Sequence, residues 1–439
     1  METTKIHIFH VGDMNNKGTE ALIKSDVQII EELLGNVSIS VSTTDVEGVK
    51  RVGVRSDIVL PLLLSIPYSF ADNMTKRFRI SRYSIKYKIL AFMGVLNLFV
   101  GIVLLIFSTL LTRIGLRPLF RSTALKRIKD CDLVVSCSDE NFKEAASLLP
   151  TTFYWLLNWW SILFVRTIDI TIAKFFRKPV IIFPNSIGPF KTGVGRFLGR
   201  LALNNANIVL IREKISFKIV EDLNISPPRI LTSDSALLFK TSKRFELNAP
   251  KNAIGVCPGV YAQTLSMEKV QNYIVEHAHA LDMAIEKLQC EIIFLPHFIS
   301  GFENDDLDIS RQIMSKMRNK TKAKIVRVES LDEFKSYLES MSMIISSKLH
   351  PAILGSSGFV PTLCIAYDQK QVGFFDTLMM PENVVAINDI TSELLFSKIS
   401  QIWMDKDNIR KNLEIIIPQL QKNIKEAIRI ALSQSINRK

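Results

Sequence analysis

Short runs rich in Val and Ile recur along the whole chain, and longer stretches with the apolar spacing of helices separate them. Several of these runs are apolar at consecutive positions instead of alternate ones, which is typical of parallel strands covered by helices on both faces. The pattern therefore predicts an α/β fold with doubly wound parallel sheets. The predicted strands are Ile6–His10, Val37–Val41, Leu133–Ser136, Val180–Phe183, Ile208–Arg212, Ile230–Leu231, Ala253–Cys257, Glu291–Pro296, Lys324–Val328, Met343–Ser346 and Pro361–Ala366.

The chain is long enough for two domains. Its 439 residues exceed what one hydrophobic core usually holds, and residues 248–252 have the composition of a linker before a new strand. We expect an N-terminal α/β domain over 1–247, a C-terminal α/β domain over 253–404 and amphipathic C-terminal helices over 405–439. Apolar residues recur at helical spacing in the last segment, where Pro418 predicts a kink.

One segment interrupts the α/β pattern. Between Asp72 and Asp130 there are twelve Lys or Arg residues and no Asp or Glu, and residues 89–112 form a run of 24 uncharged residues. We predict an apolar helical insertion with basic flanks over about 73–129 in the N-terminal domain. At about 1.5 Å per residue, its helix is long enough to cross a hydrocarbon core of about 30 Å.

This insertion has three interpretations. A single membrane span would place the first strand and the Leu133 strand on opposite sides, and the positive-inside rule disfavours two basic flanks. A helix that lies in the interface, with both ends on the anionic cytoplasmic leaflet, meets both conditions. Residues 151–165 contain three of the four tryptophans, so the sequence predicts a membrane-surface partner through 76–129 and 151–165. A helix buried in the core or in a homo-oligomer is the third interpretation.

Charge and cysteine content narrow the class of protein. The 55 basic and 43 acidic residues give a net charge of +12, which favours an anionic partner. The basic clusters flank an apolar run and do not alternate with aromatic residues, so no nucleic-acid binding is expected. Five scattered cysteines without a Cys-x-x-Cys pair indicate neither a disulfide framework nor a zinc site. The first residues alternate like a strand and so do not resemble a signal peptide. We therefore expect a cytoplasmic protein that is peripheral on the inner face of the cell membrane.

Polar residues follow the first predicted strand in the stretch VGDMNNKGTEALIKS. Its glycines allow positive φ values and a close approach of a ligand, and the helix that follows offers unpaired N–H groups to an anion. Asp13 lies at the carboxyl end of the strand, where α/β proteins bind ligands. An ordinary βα turn is the alternative. The candidate residues of this loop are Gly12, Asp13, Asn15, Asn16, Gly18 and Glu20.

Three further polar segments follow predicted strands in the first half. FPNSIGPF is interpreted as a polar loop, VLIREKIS has a cation at a strand end and a serine at a helix start, and LTSDSALLF has a carboxylate after a short strand. Helix capping is the structural alternative, and it suits Ser216 and Asp234. The candidate residues are Asn185, Ser186, Gly188, Arg212, Ser216 and Asp234.

The second half contains the richest stretch, IISSKLHPAILGSSGFVPTLCIAYDQK. Its SSKLH segment follows a strand and opens a helix, so Lys348 and His350 add one fixed and one titratable cation at a helix N-terminus. Tyr367 and Lys370 are predicted to lie in a polar loop after the next strand, and His297 follows another strand end. The candidate residues are Ser347, Lys348, His350, Tyr367, Lys370 and His297.

The ordered set of these motifs resembles the polysaccharide pyruvyl transferase family over roughly residues 6–380. The matching motifs are Gly12-Asp13-x-Asn15-x-x-Gly18-x-Glu20-Ala21-Leu22, Ile187-Gly188-Pro189-Phe190, Arg212-x-x-x-Ser216, Asp234, Lys348-Leu349-His350 and Tyr367-Asp368-x-Lys370. The resemblance implies a two-domain, GT-B-like architecture with the active site between the domains. It also implies that the enolpyruvyl unit of phosphoenolpyruvate is transferred, without a metal or other cofactor, to a sugar of a cell-surface polysaccharide or its lipid-linked precursor. The usual product is a pyruvate ketal.

The resemblance gives roles to particular residues. Asp13 would be the acceptor-side base, Lys348 with His350 the phosphate clamp and leaving-group acid, and Arg212 a ligand of the donor carboxylate. Lys348 stands where the family commonly has Arg, and Ser136–Glu140 replaces a glycine-rich loop. Lysine keeps the charge of arginine but lacks its bidentate fork. A GT-B glycosyltransferase that uses a nucleotide sugar and a non-catalytic membrane-associated relative are the alternative functions.

Overall fold

Two parallel β-sheets form the frame of the protein. The computed structural model describes residues 3–436 apart from 68–70, 72–73, 75–84, 244, 246, 248–249, 251, 261–264 and 302–303. The strands are β1 (Thr4–Val11), β2 (Val37–Thr43), β3 (Ile58–Pro61), β4 (Leu133–Ser136), β5 (Asp139–Phe142), β6 (Val180–Ile187), β7 (Ile208–Ile211), β8 (Arg229–Leu231), β9 (Ala253–Cys257), β10 (Glu291–Phe294), β11 (Ala323–Ile325), β12 (Met343–Ser346), β13 (Thr362–Ala366) and β14 (Val384–Ala386). The helices are α1 (Lys17–Leu34), α2 (Val46–Arg51), α3 (Ile85–Arg113), α4 (Ser122–Asp130), α5 (Phe153–Phe175), α6 (Gly193–Asn204), α7 (Lys214–Asp222), α8 (Met267–Leu288), α9 (Asp306–Lys316), α10 (Leu331–Glu339), α11 (Leu349–Ser357), α12 (Gln369–Thr377), α13 (Ser392–Met404) and α14 (Lys406–Ile436).

In each sheet the first strand along the chain lies near the middle, and later strands lie on both sides of it. The first sheet has the order β3-β2-β1-β4-β6-β7-β8, with β5 beside β6, and the second has the order β11-β10-β9-β12-β13-β14. The inner strands β4, β9 and β12 are buried along their whole length, because helices cover both faces of each sheet. The predicted fold class, two doubly wound α/β domains, is confirmed.

The apolar runs locate the inner strands well and the edge strands poorly. All eleven predicted strands are present, with ends displaced by at most four residues. The strands β3, β5 and β14 were not predicted: β3 and β14 are short strands at the edges of their sheets, and β5 begins with Asp-Glu-Asn. Such strands form through pairing with a neighbour, so their own sequence carries a weak signal.

The segment FPNSIGPF is not a loop at its start, and this corrects the prediction. Strand β6 continues to Ile187 because its last residues pair with β5 and β7. Asn185 and Ser186 therefore lie on a buried strand, and the turn begins at Gly188, whose φ is 75°.

The C-terminal segment packs on the rest of the protein. Helix α14 continues through Pro418 as one helix, and its apolar stripe is buried. Gln421 Nε2 donates to Leu237 O at 2.7 Å, so α14 also fastens to the first half of the chain. Part of the predicted linker, residues 248, 249 and 251, lies outside the described residues.

The insertion contains the predicted helix, α3, and packs it lengthwise on the first sheet's side of the molecule. A side chain at Gly94 would place Cβ 2.3 Å from Pro67 O, and Leu98 and Leu105 are buried. The opposite face is exposed, and only 18% of the most apolar window is buried. Large apolar side chains on that face are Phe92, Leu96, Phe99, Val103, Ile106, Phe107 and Leu110. The predicted basic residues Lys76, Arg77, Arg79 and Arg82 lie outside the described residues.

The second apolar segment, 151–165, forms the first half of α5 and is more enclosed than α3. Half of its most apolar window is buried. Trp160 Nε1 donates to Glu144 Oε1 at 2.5 Å, and Lys143 Nζ lies 4.7 Å from the centre of the Trp159 ring. These tryptophans are half-buried against protein partners. By length and composition α3 and α5 could each cross a membrane, but the strands on either side of α3 belong to one sheet.

Candidate active site

The carboxyl ends of the two sheets face each other, and most of the predicted site residues lie between them. The Gly18 N–H donates to His297 Nε2 at 2.9 Å, which joins the loop after β1 to the segment after β10. The Gln369 N–H donates to Ser147 Oγ at 2.7 Å, which joins the start of α12 to the segment after β5. Because ligands of open α/β sheets bind outside the carboxyl ends of the strands, this junction is the candidate active site.

Gly18 provides the space that His350 occupies. A side chain at Gly18 would place Cβ 2.1 Å from Nδ1 and 2.2 Å from Cγ of His350. Neither Gly12 nor Gly18 uses the positive φ that glycine allows. The loop needs glycine at position 18 for close packing against a residue from the other half of the chain.

Two stacked histidines lie over this loop. The ring centres of His297 and His350 are 6.3 Å apart, and their planes differ by 17°. Burial lowers the pKa of His350, with Asp234 opposing the shift and Arg212 adding to it. Burial also lowers the pKa of His297, to which the charge of Lys348 adds. Both imidazoles are therefore neutral near pH 7, and His350 Nε2 has no hydrogen-bond partner among the described residues.

Lys348 is held beside a buried carboxylate. Its Nζ lies 3.4 Å from Asp306 Oδ1, and its chain lies where a side chain at Gly259 would be, 2.1 Å from that Cβ position. Burial alone would lower the pKa of Lys348, but Asp306 raises it above its ordinary value. The neighbouring Ser347 Oγ is hydrogen-bonded to Tyr273 OH at 2.5 Å. The lysine is thus charged and anchored at the start of α11.

Arg212 is the central cation of the first half. Its Nε donates to Ser186 Oγ at 2.7 Å and its Nη1 to Asp234 Oδ2 at 2.6 Å. Burial alone would lower the pKa of Arg212, but Asp234 and neighbouring carboxylates raise it. Its Nη2 is buried and has no hydrogen-bond partner within the described part of the chain. Asp234 Oδ1 also accepts from the Ala236 N–H at 2.9 Å, which confirms the capping interpretation, and its role in the site stays a prediction.

An ionic cluster also joins the two halves of the chain. Lys370 Nζ lies 2.6 Å and Lys143 Nζ 2.7 Å from Glu140 Oε2, and Lys143 Nζ lies 3.3 Å from Asp368 Oδ2. Burial alone would raise the pKa of Glu140, but the two lysines hold it below its ordinary value. Lys370 lies in the first turn of α12 and not in a loop, which corrects its predicted position, and Tyr367 is buried beside it.

Four charged residues of the site were not predicted as site residues. They are Asp139, Glu140, Lys143 and Asp306. Asp139 and Glu140 follow the carboxyl end of β4, so the criterion that selected Asp13 would also have selected them. Asp306 carries no such signal, because it opens α9 and reaches Lys348 only through the fold.

The loop after β1 is held by its own polar residues. Asp13 Oδ1 accepts from the Asn15 N–H at 2.8 Å, and Asn16 Oδ1 accepts from the Gly18 N–H at 2.9 Å as the N-cap of α1. Glu20 lies one turn later and pairs with Lys24 at 2.7 Å, so the structure gives it a local partner on α1. Asp13 is half-buried at the edge of the junction.

Three predicted residues belong to the scaffold around the site. Asn185 Nδ2 donates to Cys137 O at 3.0 Å, the Gly188 N–H donates to a backbone carbonyl, and Ser216 Oγ accepts from the Ile187 N–H at 2.7 Å. The prediction that Ser216 suits an N-cap is wrong, because Glu213 is the N-cap of α7. These contacts fix the ends of β6 and β7 beneath Arg212.

The site is largely closed to solvent. Arg212 is 3% exposed, and His350 and Lys370 are each 7% exposed. Among the residues that the structure describes, no three His, Cys, Asp or Glu side chains are grouped as metal ligands. The five cysteines are buried and unpaired. The chemistry that the arrangement offers is anion binding by Lys348, Lys370 and Arg212 with a neutral imidazole beside them.

Solved structures that share the fold over nearly the whole chain support the GT-B-like architecture. A putative UDP-N-acetylglucosamine 2-epimerase from Listeria monocytogenes has a TM-score of 0.61 at 10% identity, over 100% of this chain and 98% of that chain. TcCGT1 in complex with UDP has a TM-score of 0.58 at 9% identity, over 99% of each chain. The S. aureus MnaA–UDP structure has a TM-score of 0.57 at 8% identity, over 99% of this chain and 97% of that chain. At these identities the likeness concerns the fold alone.

Sequence comparison identifies the family. The amylovoran biosynthesis protein AmsJ of Erwinia amylovora is 21% identical over 266 residues, which are 56% of this chain and 63% of that protein. The match thus spans less than two thirds of that relative. The profile of the polysaccharide pyruvyl transferase family matches residues 29–369, more than three quarters of the 439 residues. The chain therefore belongs to the polysaccharide pyruvyl transferase family, which is a family of transferases.

Proposed function

We propose that this protein transfers the pyruvyl (enolpyruvyl) group of phosphoenolpyruvate to a sugar of a cell-surface polysaccharide or its lipid-linked precursor and forms a pyruvate ketal. The observation that carries the proposal is the meeting of Lys348, Lys370, Arg212 and His350 between the two sheets. Phosphoenolpyruvate has a phosphate and a carboxylate, and several buried cations beside a helix N-terminus suit both groups. Family membership supports a polysaccharide acceptor.

The donor carboxylate is assigned to Arg212. Two of its nitrogens are engaged by Ser186 and Asp234, which fix the plane of the guanidinium. The remaining Nη2 has no hydrogen-bond partner among the described residues, and an unpaired buried donor is costly unless a ligand accepts from it. The donor phosphate is assigned to Lys348 at the start of α11, with phosphoenolpyruvate as the only co-substrate and no metal or cofactor.

His350 is assigned as the leaving-group acid. Ketal formation places a proton on the methylene carbon of the donor, joins sugar oxygens to C2, and breaks the C2–O bond so that phosphate leaves. The imidazole is neutral in the unliganded protein because burial lowers its pKa. A phosphate dianion nearby favours the protonated form, so donor binding would prepare the acid that the leaving phosphate requires.

Asp13 is assigned as the base on the acceptor side. Its Oδ1 already accepts from the Asn15 N–H, which orients the carboxylate at the carboxyl end of β1. A sugar hydroxyl that approaches from this side would lose its proton to Asp13 as the oxygen attacks C2. Gly12, Asn15 and Asn16 would shape the same wall of the site.

We also infer that the protein works as a peripheral protein on the inner face of the cell membrane. The exposed apolar face of α3 supports this location, because a lipid-linked acceptor lies at that surface. The half-buried tryptophans of α5 contribute less exposed area than α3 does.

The test is an incubation of the purified chain with phosphoenolpyruvate and a panel of lipid-linked and soluble sugars. We expect acceptor-dependent phosphate release and a pyruvate ketal on the product by mass spectrometry and NMR. The variant His350→Ala should abolish release while its unfolding temperature changes little, and Gly193→Ala, an open position outside the site, should behave as the wild type.

Two outcomes would reject the proposal. Nucleotide release from a sugar nucleotide, without phosphate release from phosphoenolpyruvate, would assign the glycosyltransferase function. The absence of any thermal shift with phosphoenolpyruvate, together with no turnover, would assign a non-catalytic relative.

A further inference from the structure

A basic pocket lies at the edge of the first sheet that is remote from the candidate active site. It has a volume of about 820 Å³ and is formed where α3 ends and α4 begins, beneath the amino ends of β1 and β2. Its cationic lining residues are Lys5, Arg117, Lys126, Arg127 and Lys129, and Asp130 is its one acidic lining residue in the described part of the chain. The pocket is therefore strongly positive, which suits a phosphate group.

Hydrogen bonds between α3, α4 and the segment that connects them hold the walls of this basic pocket in place. Lys129 Nζ donates to Thr112 O at 2.7 Å and so binds α4 to the last turn of α3. Phe120 N–H donates to Ser108 Oγ at 2.9 Å, which folds the connecting segment back on α3. Arg117 and Lys126 are exposed at the mouth.

Exposed apolar side chains border the same mouth. Ile114 is 70%, Leu116 56% and Leu119 77% exposed, and they follow the last residue of α3 in the chain. A surface that places apolar side chains beside a cluster of cations matches a bilayer, whose acyl chains lie next to a layer of phosphates. A second copy of this chain would instead have to bring its own basic cluster against this one.

The basic pocket lies too far from the candidate active site to bind the reacting groups of the donor or the acceptor. It opens at the amino ends of the strands, whereas the candidate active site lies at their carboxyl ends. The eight residues of β1 separate the two by about 26 Å of extended chain. A phosphate in this pocket therefore belongs to a molecule that anchors the protein, not to the donor or the reacting sugar.

We propose that the basic pocket binds the phosphate head group of an anionic phospholipid in the membrane on which α3 lies. The inference rests on the proposed membrane association and adds to it a specific lipid site. The head group occupies the pocket between α3 and α4, and the exposed side chains at 114, 116 and 119 enter the acyl region beside it. This contact orients the molecule with α3 along the surface and leaves the opposite edge of the sheet open to the acceptor.

The test is flotation of the full chain with two kinds of vesicle, phosphatidylcholine alone and equal parts of phosphatidylcholine and phosphatidylglycerol. The variant pair is Arg117→Gln with Lys126→Gln, and the matched control is Arg410→Gln with Lys411→Gln on the exposed side of α14. Each basic side chain near an anionic surface contributes about fivefold to binding, so the pocket variant should need about 25-fold more anionic lipid for half-saturation. The control should bind as the wild type does.

The outcomes separate this inference from the other proposals. If the pocket variant floats like the wild type, the lipid site is overturned while membrane association stands. If the wild type floats with neither vesicle, or is a dimer that hides α3, the lipid site and the proposed membrane association are both contradicted. Phosphate release with a soluble acceptor should be equal in the wild type and the pocket variant, so a loss of transfer activity would overturn the separation of the two sites.

Discussion

The contact between Gly18 and His350 gives the most direct test of the site. In Gly18→Ala, the new methyl would stand 2.1 Å from Nδ1 of the His350 ring. Carbon–nitrogen contacts are comfortable at about 3.5 Å, so the ring would have to retreat by about 1.4 Å. The ring stacks on His297 on its other side, which limits the directions in which it can move.

Two effects of known size follow from that displacement. Overpacking of this kind costs about 1–3 kcal/mol of unfolding free energy. A catalytic group displaced by about 1 Å loses about 100-fold in rate. We therefore expect Gly18→Ala to lower the unfolding free energy by about 2 kcal/mol and phosphate release by about 100-fold.

A double-mutant cycle in urea separates the clash from other causes. In His350→Ala the ring is absent, so adding Gly18→Ala should cost little, and the coupling energy between the two changes should exceed about 1 kcal/mol. Gly193→Ala is the matched glycine control, because it too lies in the first turn of a helix and nothing lies within 4 Å of its Cβ position. A Gly18→Ala variant with wild-type stability and rate, or a coupling energy near zero, would refute the packing argument.

Three further changes test the remaining charges. Arg212→Gln leaves Asp234 buried without its cation and should lower the urea unfolding free energy by about 3–5 kcal/mol; a loss below about 1 kcal/mol would contradict the pair's importance. Lys348→Arg, which installs the family's common residue, should keep phosphate release within about threefold, whereas Lys348→Gln should reduce it at least about tenfold; equal rates in both variants would argue against the phosphate role. Burial lowers the pKa of His7 to about 3 and of His277 to about 4, so the unfolded state binds protons first, and stability that is complete above pH 6.5 should fall as the pH drops towards 4 and then 3. Each histidine contributes at most about 1.4 kcal/mol per pH unit, so His277→Gln should weaken the acid dependence of the unfolding free energy between pH 7 and pH 5, and a dependence equal to that of the wild type would contradict this.

Much of the site could be predicted because α/β topology gathers polar residues at one edge. Asp13, Arg212, Lys348 and Tyr367 each follow a strand in the sequence, and parallel strands bring their carboxyl ends together. The same rule, applied to β4, would have added Glu140. The strand β5 was not predicted, because its composition does not favour a strand and it forms by pairing with β6.

Other features could not be predicted because a local pattern has two meanings. A glycine allows a positive φ or a close contact, and only the position of His350 shows that the second applies at Gly18. Tryptophans suit a membrane interface or a half-buried packing site, and only the fold shows that Trp160 has Glu144 as a hydrogen-bond partner. In both cases the deciding partner is distant in sequence or lies on another element.

The sequence by itself determined the alternation of strands and helices, the apolar character of α3 and the order of the motifs, because periodicity, charge and turn residues act over a few neighbouring positions. Only the tertiary structure decided which of these features meet. It brings His350 against Gly18, more than 300 residues away, and Lys370 onto Glu140 across 230 residues. It also decides that α3 keeps one apolar face exposed beside a basic pocket. Contacts between distant segments depend on how whole elements pack, and that packing is set by the combined burial of both sheets and not by any single stretch of the chain.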